Sequence, residues 1–379
     1  MNFNLTEEQI LLRDMVRDFV DKDLRPIAAT IDREEKIPSH IITQIADLGL
    51  LGAVFPVEYG GSGLGKLEYC LIVEEIARAC MSTATFIGAH VSIAANSIYI
   101  SGSESQKIKY LPDLISGKKI AAFALTESNA GSDASNLSTT AEFDEKLQCW
   151  ILNGEKQWIT NAPIADVFII YARTSKGITS FILEKCTEGF NIAPAEKKMG
   201  IRGSQTSSLS FNNVKLSPDQ MLGREGRGFI IAMKSLDAGR LGLSASCLGA
   251  SKELLKLSLE YSKKRKQFGE PISNFQAIQF MLAEMEVSIF QLESSIYRTA
   301  SMYDAKEAKS KHCAIVKLAA SEVLDKCADY AMQIHGGIGY SAELPIERFY
   351  RDARINRIFE GTSEVQKILI ANDLIKRGI

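Results

Sequence analysis

The chain has 379 residues, 46% hydrophobic and 24% charged, and its 44 Lys+Arg against 46 Asp+Glu leave a formal net charge of -2. At roughly 150 residues per domain, that length predicts two or three domains with large cores. The composition excludes a disordered chain, a collagen-like fibre and a small disulfide-stapled scaffold, and the charge balance gives no basic field to attract nucleic acid or anionic lipid.

Thr6-Glu-Glu-Gln9 reads as a capping box opening a helix rather than as a targeting segment, which predicts a cytoplasmic, prokaryotic protein. Apolar residues then recur at helical spacing (Ile10, Leu11, Met15, Phe19, Val20; later Ile41, Ile45, Leu48), so residues 1–120 are expected to form an N-terminal α-helical domain. The texture changes near residue 121. Short β-type runs at 148–152, 167–172, 179–183 and 207–211 predict a middle β domain over 121–230, with Asn153-Gly154 as a hairpin turn between 148–152 and 157–160. Helical periodicity returns over 231–379, with one apolar stripe from Ile278 through Met281, Leu282, Met285 and Ile289 to Leu292, and another over Ala314–Ile334. Helices, then strands, then helices again is not the alternation of a doubly wound sheet. No run approaches the roughly 20 apolar residues of a membrane span, so no membrane insertion is expected. The seven cysteines are scattered singly and predict reduced thiols; His40, His90, His312 and His335 lack ligand spacing, so no metal is expected. Tyr59–Gly65 and Gly223–Gly228 are glycine-rich but fit neither a dinucleotide fingerprint nor a phosphate loop.

Four segments are richer in polar and glycine residues than packing requires. Phe123–Asp133 runs from a short strand into a loop of small residues able to approach a flat or anionic ligand. Trp158-Ile-Thr-Asn161 sets a large aromatic beside a hydroxyl. Arg265-Lys-Gln-Phe-Gly269, with Gln276, offers a planar guanidinium suited to phosphate. Gln333–Tyr340 and Phe359-Glu-Gly-Thr-Ser-Glu364 combine helix-breaking glycines with a carboxylate beside an aromatic. In an apolar cleft Glu360 would lose hydration and become a base competent near pH 7; the competing reading is a helix N-terminal carboxylate stabilised by the dipole.

Together L-T-E-x-x-x-G-S-D (125–133), W-I-T-N (158–161), R-x-x-F-G (265–269), Q-x-x-G-G-x-G-Y (333–340) and E-G-T-S-E (360–364) resemble the acyl-CoA dehydrogenases over nearly the whole chain. The resemblance implies an α+β fold: an N-terminal helical domain, a middle β-barrel or sandwich domain and a C-terminal four-helix bundle. It implies FAD held by Phe123, Leu125, Thr126, Gly131, Ser132, Trp158, Ile159 and Thr160. Arg265, Phe268, Gln276, Gln333, Ile334, His335, Gly336 and Gly337 would reach the FAD of a neighbouring subunit, and Thr362, Ser363 and Glu364 would contact it again. Ser132, Asp237, Arg240 and Gly361 would meet the acyl-CoA. His335 receives no catalytic role.

The family carries its base at one of two places. One is matched here by Glu360; the other, in Leu236-Asp-Ala-Gly-Arg240, holds Gly239, which has no side chain. The resemblance therefore implies that Glu360 takes the α-proton of a short or short branched acyl-CoA while the β-hydrogen leaves as hydride to flavin N5. Electrons would pass to electron-transferring flavoprotein, in a homotetramer built as a dimer of dimers. The same residues would serve a reductase running in reverse. Ser128 stands where many relatives have proline. No arginine lies in 83–97, which disfavours a dicarboxylate substrate.

Overall fold

The computed structural model describes residues 4–378. Its first helix, Glu7–Phe19, opens on Thr6, whose side chain accepts from the Gln9 amide while Gln9 reaches back, the reciprocal cap read from the sequence. Helices continue to Ile115. Lys66–Ala77 is buried along most of its length, and the Met81–Ile87 helix runs on into a π-helical stretch, Gly88–Ala95. Such widened turns are often found at functional sites.

His90 lies in that stretch and joins two parts of the chain. Its Nε2 faces the Leu114 carbonyl at 2.9 Å and its Nδ1 accepts from the Ala121 amide at 3.0 Å, which requires a neutral ring with the proton on Nε2. Burial holds its pKa down at about 4.

The strands β1 (Ala121–Ala124), β2 (Thr140–Asp144), β3 (Cys149–Thr160), β4 (Val167–Thr174), β5 (Gly177–Glu184), β6 (Phe190–Ile192), β7 (Thr206–Leu216) and β8 (Met221–Leu222) form one mixed sheet. Its order is β6-β7-β3-β2-β4-β5-β8, with β1 parallel to β4. The barrel-or-sandwich expectation thus resolves into a single continuous sheet.

The hairpin expected at Asn153-Gly154 is corrected. β3 runs straight through both residues, and the reversal lies between Asp144 and Cys149, where Asp144 accepts the Lys146 and Leu147 amides and Gln148 adopts φ 53°. Gly154 is needed for a different reason. At φ 137° it sits against Thr139, whose Cα would lie 2.7 Å from any Cβ added there.

The C-terminal segment is dominated by the long helices Gly228–Lys264, Gln276–Asp304, Ser310–His335 and Ser363–Arg377, with the shorter Gly337–Tyr340 and Ile346–Ala353 between the last two. The stripe at Met285, Ile289 and Leu292 faces their shared core. Gly336 ends the third helix at φ 61°. The seven cysteines are free thiols. Among the described residues no helix is long and apolar enough to cross a membrane, and no group of side chains could hold a metal ion.

Candidate functional site

A cavity of about 470 Å³ opens where the sheet meets both helical segments. Residues 4–115 supply Tyr69, Val73, Ala84, Thr85 and Ile93; β1 and its loop supply Phe123, Leu125, Thr126, Gly131 and Ser132; β3 supplies Trp158, Ile159 and Thr160. The C-terminal segment closes it with Leu236, Gly239, Arg240, Phe359, Glu360 and Gly361.

The wall from the sheet is shaped by two local devices. The ladder between β3 and β7 slips between Lys156 and Ile159, and Trp158 takes φ 57° at that bulge, leaving its indole 57% exposed on the cavity side. Beside it, the 125–139 loop is tied to β3, the Gln157 amide donating to the Thr126 carbonyl at 2.9 Å. Glu127 accepts the Thr139 amide at 3.0 Å and the wholly buried Lys156 Nζ at 2.7 Å, while Lys156 also donates to the Leu125 carbonyl at 3.1 Å. Burial lowers the Lys156 pKa to about 8. The loop can then present small residues outward: Gly131 has nothing within 4 Å of where a Cβ would stand.

The opposite wall carries the carboxylate. Glu360 and Gly361 are both left-handed, at φ 53° and 91°, and a Cβ on residue 361 would lie 2.7 Å from Gln366 Nε2, so that position needs glycine. Thr362 caps the final helix by accepting from the Val365 amide at 3.3 Å. Glu360 therefore lies before the helix rather than within its first turn. Its Oε2 is buried without a hydrogen-bond partner among the described residues. Loss of water raises its pKa from 4.5 to about 7, opposed by the charges of Arg240 and Lys317. The helix-dipole reading belongs instead to Glu364, a first-turn carboxylate whose pKa is held low by its own backbone amide and the Thr362 hydroxyl.

The remaining predicted residues divide into two groups. Asp237 and Arg240 pair with each other at 2.8 Å; Arg240 also donates to the Glu360 carbonyl at 3.1 Å, and Asp237 accepts from Ser310. Ser363 is buried and faces Arg357 Nε at 3.5 Å. Arg265, Phe268, Gln276, Gln333, Ile334, His335, Gly336 and Gly337 do not line the cavity. They belong to another face, where Phe268 is 93% exposed, His335 stacks on Tyr261 and Gly336 and Gly337 are open to any added Cβ. Sequence reasoning missed Lys317 and Gln366, both of which grip the turn at Glu360. The available signal was a lysine in phase with the buried stripe of the Ser310–His335 helix.

Comparison with known proteins settles the family. Models of the acyl-CoA dehydrogenase N-terminal, middle and C-terminal domains match residues 6–118, 122–214 and 226–375. The chain belongs to the acyl-CoA dehydrogenase family. It is an oxidoreductase of the class acting on CH–CH groups.

Within this acyl-CoA dehydrogenase family, curated relatives include an acryloyl-CoA reductase (NADH) of Anaerotignum propionicum, 42% identical over 100% of this chain and 97% of its own length. A short-chain specific acyl-CoA dehydrogenase of Clostridium acetobutylicum is 41% identical over 99% of this chain and 100% of its own. Among solved structures, butyryl-CoA dehydrogenase from Megasphaera elsdenii superposes with TM-score 0.96 at 42% identity, covering 99% of this chain and 100% of that one. An acyl-CoA dehydrogenase complexed with FAD from Bacillus anthracis gives TM-score 0.93 at 38% identity, covering 99% of this chain and 68% of that one. A chain from work on the electron transferring flavoprotein of Acidaminococcus fermentans gives TM-score 0.97 at 40% identity, covering 99% and 100%.

Proposed function

We propose that this enzyme removes the α and β hydrogens of a short-chain or short branched-chain acyl-CoA, with Glu360 as the base. The observation that carries the reading is one buried, unpartnered carboxylate oxygen, poised near neutrality, on the rim of a slot whose facing wall is an exposed indole between two threonines.

FAD is the cofactor, and the slot fits its ring. The Trp158 indole and Phe123 provide flat apolar surface, the Thr126 and Thr160 hydroxyls make no hydrogen bond among the described residues, and Gly131 leaves the loop backbone open to close approach. When bound, the flavin supplies the two-electron acceptor; all else is done by the chain. Desolvation keeps Glu360 basic enough to take an α-proton at neutral pH. Its own amide makes no hydrogen bond among the described residues and is free to polarise a thioester carbonyl, acidifying that α-carbon. Tyr69, Val73, Ile93 and Leu243 line the cavity with apolar surface. Among the described residues Arg240 is its lone lining guanidinium and is already committed to Asp237 and the Glu360 carbonyl, leaving no free lining cation for a distal carboxylate.

Electron-transferring flavoprotein is the proposed acceptor from the reduced enzyme, supported by the likeness to the Acidaminococcus chain. A homotetramer, a dimer of dimers, is supported by the outer face of the Gln276–Asp304 helix. There Phe280, Val287 and Phe290 are 61%, 56% and 66% exposed at near-heptad spacing. In such an assembly Arg265, Gln276 and Gln333–Gly337 would complete a neighbour's cofactor site. The likeness to an acryloyl-CoA reductase supports a second reading, the same chemistry run toward the saturated thioester.

Anaerobic titration of the FAD-loaded enzyme with butyryl-, isobutyryl-, octanoyl- and glutaryl-CoA tests the reading. Flavin bleaching fastest with a four-carbon thioester is expected. No bleaching by any of them, or fastest bleaching by glutaryl-CoA, would overturn it. Steady-state reduction of crotonyl-CoA against oxidation of butyryl-CoA separates the two directions.

A further inference from the structure

Lys317 is wholly buried in the Ser310–His335 helix and forms no ion pair among the described residues; its one acceptor is the Gly361 carbonyl, at 2.7 Å. An ammonium kept out of water with a single hydrogen-bond acceptor is expensive for a fold. Burial lowers its pKa to about 8, so it carries its proton through neutral pH. Stability alone gives no reason for such a group.

Its surroundings supply one. Gln366 Nε2 donates to the Glu360 carbonyl at 3.2 Å and to the Gly361 carbonyl at 2.8 Å, and Arg240 Nε donates to the Glu360 carbonyl at 3.1 Å. Three donors from three different helices thus converge on two consecutive carbonyls, and those carbonyls belong to the two left-handed residues that aim the carboxylate. A glutamate at positive φ is held there only by its surroundings, because the backbone alone disfavours it.

We propose that Lys317 and Gln366, acting with Arg240, are positioning residues for the base: they clamp the Glu360–Gly361 turn so that the carboxylate stays directed into the cavity. This rests on Glu360 being the base. Lys317 acts through Gly361 and does not touch substrate. It also contributes charge. The groups facing the Glu360 carboxylate are Arg240 and Lys317, with Tyr69 and Cys247 behind them; those facing Lys317 are Glu360, Cys247, Arg240 and Glu364. Of these, only the two cations favour an ionised Glu360.

The test compares Lys317→Met and Gln366→Leu in the FAD-loaded protein with a four-carbon acyl-CoA. Both are expected to lower kcat roughly tenfold or more with KM within about twofold, the pattern of a misplaced group rather than lost binding. K317M alone should also move the acid limb of kcat/KM upward by roughly half a unit or more, because an ionised Glu360 loses a nearby cation. A 13C titration of glutamate carboxyls in the flavin-free protein should show the same upward shift for Glu360. Wild-type kcat in either variant, or a raised KM with kcat intact, overturns the clamp. Should K317M fail to fold, Q366L decides it. A wild-type enzyme bleached by no acyl-CoA counts against the base assignment instead, so the two failures are told apart.

Discussion

A Cβ placed on Gly239 would stand 2.6 Å from the Oε2 of Glu360 and 2.8 Å from Cγ1 of Ile93. The glycine on the long helix and the carboxylate on the C-terminal turn therefore occupy one space between them. The two positions expected to carry the base compete for that space, and a carboxylate rooted at 239 would reach the same cavity from the helix side.

Gly239→Ala follows directly. The methyl group must displace either the carboxylate or Ile93, while alanine in a helix interior favours folding by up to about 1 kcal/mol. The variant should melt near or above the wild type yet bleach its flavin roughly a hundredfold more slowly with substrate. Stopped-flow bleaching beside a thermal melt checks both halves. The pair Glu360→Gly with Gly239→Glu should recover part of that rate.

Glu360→Gln should retain FAD and bind acyl-CoA, with no bleaching. Its stability has a defined pH signature. The folded pKa, about 7, lies above the ordinary 4.5, so the fold prefers the neutral acid. Wild type and variant should have similar stability below about pH 4.5. The variant's advantage grows as pH rises to about 7 and then levels off, at roughly 3 kcal/mol at most. Urea midpoints from pH 4 to 8 measure it; a gap independent of pH would show that the carboxyl is not desolvated.

His90 gives the opposite dependence. Its folded pKa of about 4 lies below the usual 6.5, so between those values the unfolded chain binds a proton that the fold refuses. Stability is lost as pH falls through this window, by up to about 3 kcal/mol. His90→Leu should be less stable at pH 7, having lost bonds to Leu114 and Ala121, but its stability should fall less steeply toward pH 4. Parallel slopes in the two proteins would refute the neutral-ring assignment.

Phe280→Asp with Phe290→Asp places two charges on the exposed apolar row of the Gln276–Asp304 helix. Sedimentation velocity should show a shift to smaller assemblies, and FAD should be lost more readily on gel filtration if neighbouring subunits share the site. Unchanged sedimentation would place the subunit contacts elsewhere.

Much of the architecture was legible because hydrophobic period is a long-range average: a stripe such as Met285–Ile289–Leu292 repeats often enough to mark a buried helix face. Gly154 shows where that legibility ends. Asn-Gly marks a reversal in most contexts, but here the glycine admits Thr139, the residue just before the neighbouring strand β2, a contact no local pattern encodes. The motif residues at 123–132, 158–160 and 360–361 converge on the cavity, whereas Tyr69, Val73, Ile93 and Leu243, which also line it, belong to no motif. Lys317 and Gln366 belong to no motif, and their importance arises only when the final helix docks and two carbonyls come within reach. The Arg265–Gly269 and Gln333–Gly337 segments, drawn from motifs, lie away from the cavity on a face where Phe268 is exposed.

The cavity wall runs from Tyr69 to Leu369, so its two ends are made at very different times during synthesis. Chains emerge from the ribosome at roughly 5–20 residues per second, N-terminal segments first. The helices and the sheet can thus assemble most of the cavity well before Glu360 leaves the exit tunnel. Until the last helix docks, the nascent cavity lacks the wall that carries Glu360 and Gly361, and it closes as one of the final acts of folding.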